Sequence, residues 1–380
     1  MKILSVHDYP PHVLGGAESQ AARLVTEWLR MGHSVKSASH RTPGGWLPLE
    51  EMAVHVHHIN AASNSRPVRA LKYSTRLAAW LTRQARGADI LYFRFLGEGA
   101  LTAVVLKALG LIRLPVVACP GCFGKSGDAA IIQSLPAWRR LVPLINRHCN
   151  AINILAAPIA RELEAMGINP DLFVSIPNGI PVGAAPPPAA NEKVRLLFAG
   201  RCEPAKGLDY LIEAWAALTD NEREGMSLTI AGDGSVRDVL QRQAETLGVA
   251  TSVSFPGRIN NREMRQLIAS HDILVLPSLE EGFSNVALEA LECARPVAVT
   301  TLGGIDQYIS ADMGWTMPPG DVSAITKVLR DIHAKSHGDL TTMGNLARQL
   351  AEQQFDIRKT AEQHIALFQQ LLNNQQAIKN

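Results

Sequence analysis

The sequence lacks a matched set of cysteines, a long apolar run and a strong excess of charge of either sign. Its five Cys are an odd number in 380 residues, which argues against a disulfide framework and suits a reducing compartment. No secretory leader is expected, because Asp8 and Pro10 interrupt the opening apolar run after a few residues. A membrane-crossing helix is not expected either, since the most apolar long stretch, Leu101–Val117, is broken by Lys107, Arg113 and Pro115. A formal net charge of +2 is too near zero for a general nucleic-acid binder. With 47% hydrophobic and 19% charged residues, the chain is not a disordered one, and its length is comfortable for two domains. The expectation is a soluble, cytoplasmic, two-domain protein.

The two halves differ in charge. Up to Ala185 there are 19 Lys+Arg against 11 Asp+Glu, and from Pro186 onward 18 against 24. Between them lies PVGAAPPPAA (Pro181–Ala190), stiff and uncharged, which reads as an interdomain linker. The expected division is 1–183, a linker at 184–191, a second domain at 192–355, and a closing helix and tail at 356–380 that packs back towards the first.

Short β-branched runs alternate with amphipathic helices on both sides of that linker. Strands are expected at Lys2–His7, Val54–Ile59, Asp89–Phe95, Pro115–Cys119 and Ile152–Leu155. After the linker they are expected at Val194–Ala199, Ser227–Ala231, Val253–Phe255, Ile273–Leu276 and Val297–Thr300. A helix from about Ala17 to Met31 follows the Gly15-Gly16 turn. The alternation predicts an α/β protein of two doubly wound parallel sheets, with ligands at the carboxyl ends of strands and the active site in a cleft between the halves.

The most informative segment is LVLPSLEEGFSNVALEALEC, Leu274–Cys293. A buried strand ends at Pro277, a loop carries Glu280, Glu281 and Gly282, and a helix starts near its N-cap, Ser284. Free amides at that helix N-terminus, with Gly282, make an anion site. Glu281 and Glu289 are separated along the helix axis, placed to hold two ends of an extended ligand. The plainer alternative is a capping carboxylate and a solvated helix glutamate. In FAGRCEPAKG, Phe198–Gly207, Arg201 and Lys206 follow a strand and suit a pyrophosphate, unless they are solvated loop cations. AGDG at Ala231–Gly234 is only part of a dinucleotide fingerprint, because its last glycine position is Arg237.

Taken in order, these pieces resemble the retaining glycosyltransferases of family 4, the glycosyl transferases of group 1. The set is Gly15-Gly16, IPNG at Ile176–Gly179, GR…K at Gly200–Lys206, AGDG, PGR at Pro256–Arg258, LPSLEEGFSNVALEA at Leu276–Ala290, Gly303-Gly304 and PPGD at Pro318–Asp321. The resemblance implies the GT-B fold, with two Rossmann-like domains facing a central cleft. It implies transfer of a sugar from a nucleotide-diphosphate sugar, a UDP-sugar by preference, to a glycolipid or growing surface polysaccharide. Glu281 would touch the sugar, and the amides of Gly282, Phe283, Ser284 and Asn285 would meet sugar and phosphate. Glu289 would bind the ribose, and Arg201 and Lys206 the pyrophosphate. Gly15 and Gly16 would let the backbone approach the phosphates, and Gly257 and Arg258 would lie by the base. No cofactor is implied, and with no Asp-x-Asp pair in the sequence no metal is required. The alternatives are an epimerase on the same fold or an inactive nucleotide-sugar-binding protein.

One departure is a histidine that many members carry after an N-terminal-domain strand. The matching region, VVACPGCFGKSGD (Val116–Asp128), has none, and Lys125, Ser126 and Asp128 are its polar candidates on a loop that glycine would make mobile. Asp128 is the preferred catalytic substitute, with a helix cap at Ala129 as the plainer alternative. In the same region Cys119 and Cys122 read as a thiol pair in a tight turn. His55, His57 and His58 read as structural. Arg66, Arg69, Lys72 and Arg76, with no acid between Ala62 and Ala88, read either as a solvated basic face or as a peripheral contact with anionic membrane.

Overall fold

In the computed structural model, residues 1–13, 15–187 and 192–377 are described. The chain forms two compact units, Met1–Pro181 with the segment from Ile357 on, and Val182–Asp356.

The first unit holds eight strands: β1 (Lys2–Val6), β2 (Ser34–Ser39), β3 (Gly45–Leu49), β4 (Met52–His58), β5 (Ile90–Phe93), β6 (Val116–Ala118), β7 (Ala151–Asn153) and β8 (Phe173–Val174). Their order is β3-β4-β2-β1-β5-β6-β7-β8, and only β3 runs antiparallel to its neighbour. Three of these strands, β2, β3 and β8, go beyond the sequence expectation, and β7 starts one residue before the expected Ile152–Leu155 and ends two residues short of it. The C-terminal helix, Ile357–Ala377, belongs to this unit. It sets His364 and Phe368 against Trp28 and Tyr92 in a buried aromatic cluster.

The second unit holds β9 (Val194–Ala199), β10 (Met226–Ala231), β11 (Val253–Gly257), β12 (Ile273–Leu276), β13 (Val297–Thr300) and β14 (Gly314–Met317). All are parallel, in the order β11-β10-β9-β12-β13-β14. Counted from its own first strand this is 3-2-1-4-5-6, the doubly wound order, whose switch point lies between β9 and β12. The first unit reverses in the same way between β1 and β5.

Of the linker, residues 188–191 lie outside the described residues, as do 378–380 of the tail. Arginines of the second unit hold the part before them: Arg265 donates to the Ala184 carbonyl at 2.5 Å and Arg295 to that of Pro187 at 2.8 Å.

Candidate functional site

At the switch point of the second unit, the loops after β9 and β12 are tied together. The amides of Leu279 and Glu280 both donate to the Ala205 carbonyl, at 2.8 and 3.2 Å. Gly207 sits at φ +61°, and a Cβ there would lie 2.3 Å from the Pro277 carbonyl oxygen. Only glycine allows this approach. The consequence is that Lys206 Nζ meets Glu281 Oε2 at 2.5 Å, with the two side chains 19% and 26% exposed. Arg201 is exposed, and its side chain makes no hydrogen bond or ion pair among the described residues.

The helix Asn285–Glu292 starts beside this pair. Ser284 is its N-cap and accepts the Ala287 amide at 3.3 Å. Gly282, Phe283 and Ser284 are buried, and the Phe283 ring packs edge-on against Tyr308 and Phe355. Glu289 is half-buried on the helix itself. A pocket opens here, lined among others by Ser278, Glu281, Gly282, Ser284, Gly304 and Asp306. Asp306 orders the glycine pair, accepting the amides of Gly303 and Gly304 at 3.1 and 2.7 Å. Ser278 Oγ, buried, has no partner among the described residues. Sequence reasoning missed Ser278 and Asp306, because a serine after a strand and an aspartate after two glycines read as ordinary turn residues.

The loops after β10 and β11 continue the rim. Gly200 donates its amide to the Ala231 carbonyl at 3.0 Å, and Gly232 donates to that of Gly257 at 2.8 Å. A Cβ on Gly232 would lie 1.8 Å from the Gly200 oxygen, so the AGDG glycines serve close approach of loops. Arg237, where a dinucleotide fingerprint would have glycine, donates to the Phe255 carbonyl at 3.1 Å. Arg258 is exposed beyond Gly257, which has φ +80°.

In the first unit, Gly15 is the N-cap of the helix Gly16–Arg30. A Cβ on Gly15 would lie 2.2 Å from Glu18 Oε2, so the helix's own carboxylate fills that space. After β5, Arg94 is 2% exposed and donates to Cys119 Sγ at 3.2 Å and Asn178 Oδ1 at 3.0 Å. Its Nε has no partner among the described residues. Arg94 was not anticipated from sequence. His7, after β1, is buried, and burial pushes its pKa down to about 4.

The structure corrects the cap expectation for Asp128 by one position. The helix runs Asp128–Gln133 with Gly127 as N-cap, so Asp128 is its first residue rather than its cap. It is 3% exposed, and its two oxygens accept the amides of Leu96 (2.7 Å) and Gly121 (3.0 Å). It thereby joins the loops after β5 and β6. Burial raises its pKa to about 6, against the pull of those backbone amides. The glycines of this loop serve packing: a Cβ on Gly127 would lie 2.8 Å from Phe123 Cα, and one on Gly121 would lie 2.7 Å from the Phe95 ring. Lys125 is exposed, and the Ser126 side chain lies outside the described residues.

The IPNG glycine has a packing reason as well, since a Cβ on Gly179 would lie 2.7 Å from Ile357 Cα. The three histidines of β4 are engaged locally. His55 meets Trp46 edge-on, His57 stacks on Trp80, and His58 Nδ1 lies 3.0 Å from the Thr42 carbonyl.

On the helix Arg66–Gln84, Lys72 donates to the Ala62 carbonyl at 3.3 Å, Arg76 donates to that of Asn60, and Arg69 lies 3.7 Å from Glu98. Leu77 and Leu81 are buried, but Leu71 is 66% exposed and so does not share their face. Among the described residues no helix is long and apolar enough to cross a membrane.

Residues 184–353 match the family of glycosyl transferases group 1, and residues 15–179 match the glycosyl transferase 4-like domain. An uncharacterized glycosyltransferase of Methanocaldococcus jannaschii is 36% identical over 146 residues, which is 37% of each chain. A glycogen synthase of Mycobacterium tuberculosis is 26% identical over 361 residues, 87% of this chain and 86% of that one. Among solved structures, Anabaena Alr3699/HepE in complex with UDP-glucose superposes with a TM-score of 0.76 at 19% identity, covering 97% of this chain and 100% of that one. The chain belongs to the glycosyl transferases of group 1, with the two Rossmann-like domains of the GT-B fold.

Proposed function

We propose that this glycosyltransferase moves a hexose, with retention of configuration and without a metal, from a nucleotide-diphosphate sugar to a glycolipid or growing surface polysaccharide. A UDP-sugar is the preferred donor. The observation that carries the reading is the switch-point cluster of the second unit. There Arg201, Lys206 and the N-terminus of helix Asn285–Glu292 follow β9 and β12, with Glu281 beside Lys206 and Glu289 further along the helix. The likeness to a protein solved with UDP-glucose supports it.

Glycosyl transfer places growing negative charge on the departing diphosphate. Two fixed cations and a helix N-terminus stabilise that charge without reorganising, which favours the transition state over the ground state. Arg201 and Lys206 take the diphosphate, and the Gly282–Asn285 amides take phosphate and sugar. Glu281 binds the sugar, Glu289 the ribose, and Gly257 and Arg258 flank the base. Asp128 fixes the loops after β5 and β6, which carry the acceptor-side contacts. The basic helix Arg66–Gln84, with exposed Leu71 and Val68, brings the protein to an anionic membrane surface.

Purified protein should hydrolyse slowly, or transfer from, one member of a panel of UDP-, GDP- and ADP-sugars, with activity retained in EDTA. Neither binding nor turnover across that panel would overturn the assignment.

A further inference from the structure

The contact between Lys206 and Glu281 is built by the backbone. Their loops are joined by two hydrogen bonds to the Ala205 carbonyl and by the close approach of Gly207 to Pro277. Both side chains are largely withdrawn from water, where an ion pair is less screened than on an open surface. A lysine committed to a carboxylate is not available, at full strength, to a second anion. In the free protein, then, one of the two cations assigned to the diphosphate is already neutralised, while Arg201 stands exposed.

We propose that Glu281 is an internal competitor of the diphosphate for Lys206, and that this competition makes the site prefer donor over product. The inference rests on the donor-site reading above. When a nucleotide sugar binds, Lys206 exchanges a carboxylate for phosphate oxygens, and Glu281 exchanges an ammonium for sugar hydroxyls. Both residues keep a partner. After transfer the sugar is gone, and the diphosphate alone leaves Glu281 charged, without its hydroxyl partners and close to a like charge. Return of Glu281 to Lys206 then assists departure of the diphosphate. A glutamate that only bound sugar would be indifferent to a nucleotide carrying none.

The test is calorimetric titration of the full chain with UDP, GDP and ADP, carried on with whichever of them the wild type binds. Glu281→Gln keeps size and hydrogen bonding but removes the charge, and it should bind that diphosphate about two- to fivefold tighter than wild type, the range of a partly exposed ion pair. Glu281→Ala should do the same, so the result does not hang on one variant. In a Lys206→Ala background the gain should vanish, because the competitor has nothing to hold. Equal or weaker binding by both Glu281 variants, with Lys206→Ala still weakening the wild type, overturns the competition and leaves the donor site standing. No binding of any of the three diphosphates by wild type overturns the donor-site reading and the competition with it.

Discussion

Arg348 and Glu292 meet at 3.0 Å inside the second unit, where Glu292 is 3% exposed. Arg265 reaches the same carboxylate at 3.1 and 3.0 Å, and the Gly183 amide donates to it at 3.2 Å. One buried glutamate thus joins three helices to the residue just past the boundary at Val182.

Replacing it should cost stability. Burial alone would raise the pKa of Glu292, but the hydrogen bonds from Arg265 and Gly183 outweigh burial and hold it below its ordinary 4.5. The stabilisation is therefore complete above pH 4.5 and is lost as pH falls through the lower folded-state value. Glu292→Ala leaves the buried Arg348 guanidinium without this anion and should destabilise the second unit by about 3 kcal/mol at pH 7. Urea unfolding read at pH 7 and pH 4 should show that loss shrinking in acid.

Asp128 should behave in the opposite sense. Its folded-state pKa of about 6 lies above the ordinary 3.8, so folding favours the protonated form. Its contribution is fully present below pH 3.8 and declines as pH rises towards about 6. Asp128→Asn removes this titration. The difference in Tm between variant and wild type should therefore move in the variant's favour as pH rises from 4 to 6.5. Buried His7 titrates in both proteins and cancels in the comparison. A difference independent of pH would contradict the burial argument. Nucleotide affinity should not change, because the carboxylate oxygens accept the amides of Leu96 and Gly121 and the donor site belongs to the second unit.

Gly207→Ala tests whether the switch-point loops must touch. A side chain at φ +61°, aimed at the Pro277 carbonyl, should cost about 1–3 kcal/mol and push the loops apart. The expected signature is a lowered Tm together with weakened nucleotide binding, since Lys206 and Glu281 ride on those loops. A variant that lost Tm and kept full affinity would show that the two loops act independently.

The proposed division of labour in the donor site is separable by kinetics. Arg201→Ala and Lys206→Ala should each lower kcat by roughly 10²-fold, as removal of a single charge-stabilising donor does elsewhere. Glu289→Ala should raise KM for the donor and weaken binding of the free nucleotide, with a smaller effect on kcat. Wild-type turnover in an Arg201/Lys206 double variant would remove this cluster from the reaction.

The strands β12 and β13 of the second unit were legible because burial on both faces leaves nearly continuous apolar runs, and in β9 the run Leu196–Ala199 shows through despite the exposed Arg195. The strand β2, SVKSAS, was not legible. Its serines look like loop residues, yet Ser37 Oγ is buried between Ser5 Oγ (2.6 Å) and Tyr9 OH (2.5 Å). In β3, Pro48 reads as a breaker and is tolerated because the strand lies at the sheet edge. For the site, sequence places Arg201, Lys206 and Glu281 in loops after strands and Glu289 on the helix that follows. It does not say that β9 and β12 are neighbours, and the Lys206–Glu281 contact depends on that order. Arg94 was invisible for a related reason. One arginine after an apolar run reads as the solvated end of a strand, and its partners, Cys119 and Asn178, lie 25 and 84 residues away.

The return of the last helix to the first unit has a consequence for how the protein is made. Trp28 and Tyr92 are fully buried, and His364 and Phe368 help to bury them. A nascent chain emerging from the ribosome has the whole of Val182–Asp356 before it has Phe368. The second unit can therefore close on itself during synthesis, while the first waits with an apolar surface uncovered until the helix Ile357–Ala377 has been made. Of the two units, the one begun earlier is completed later.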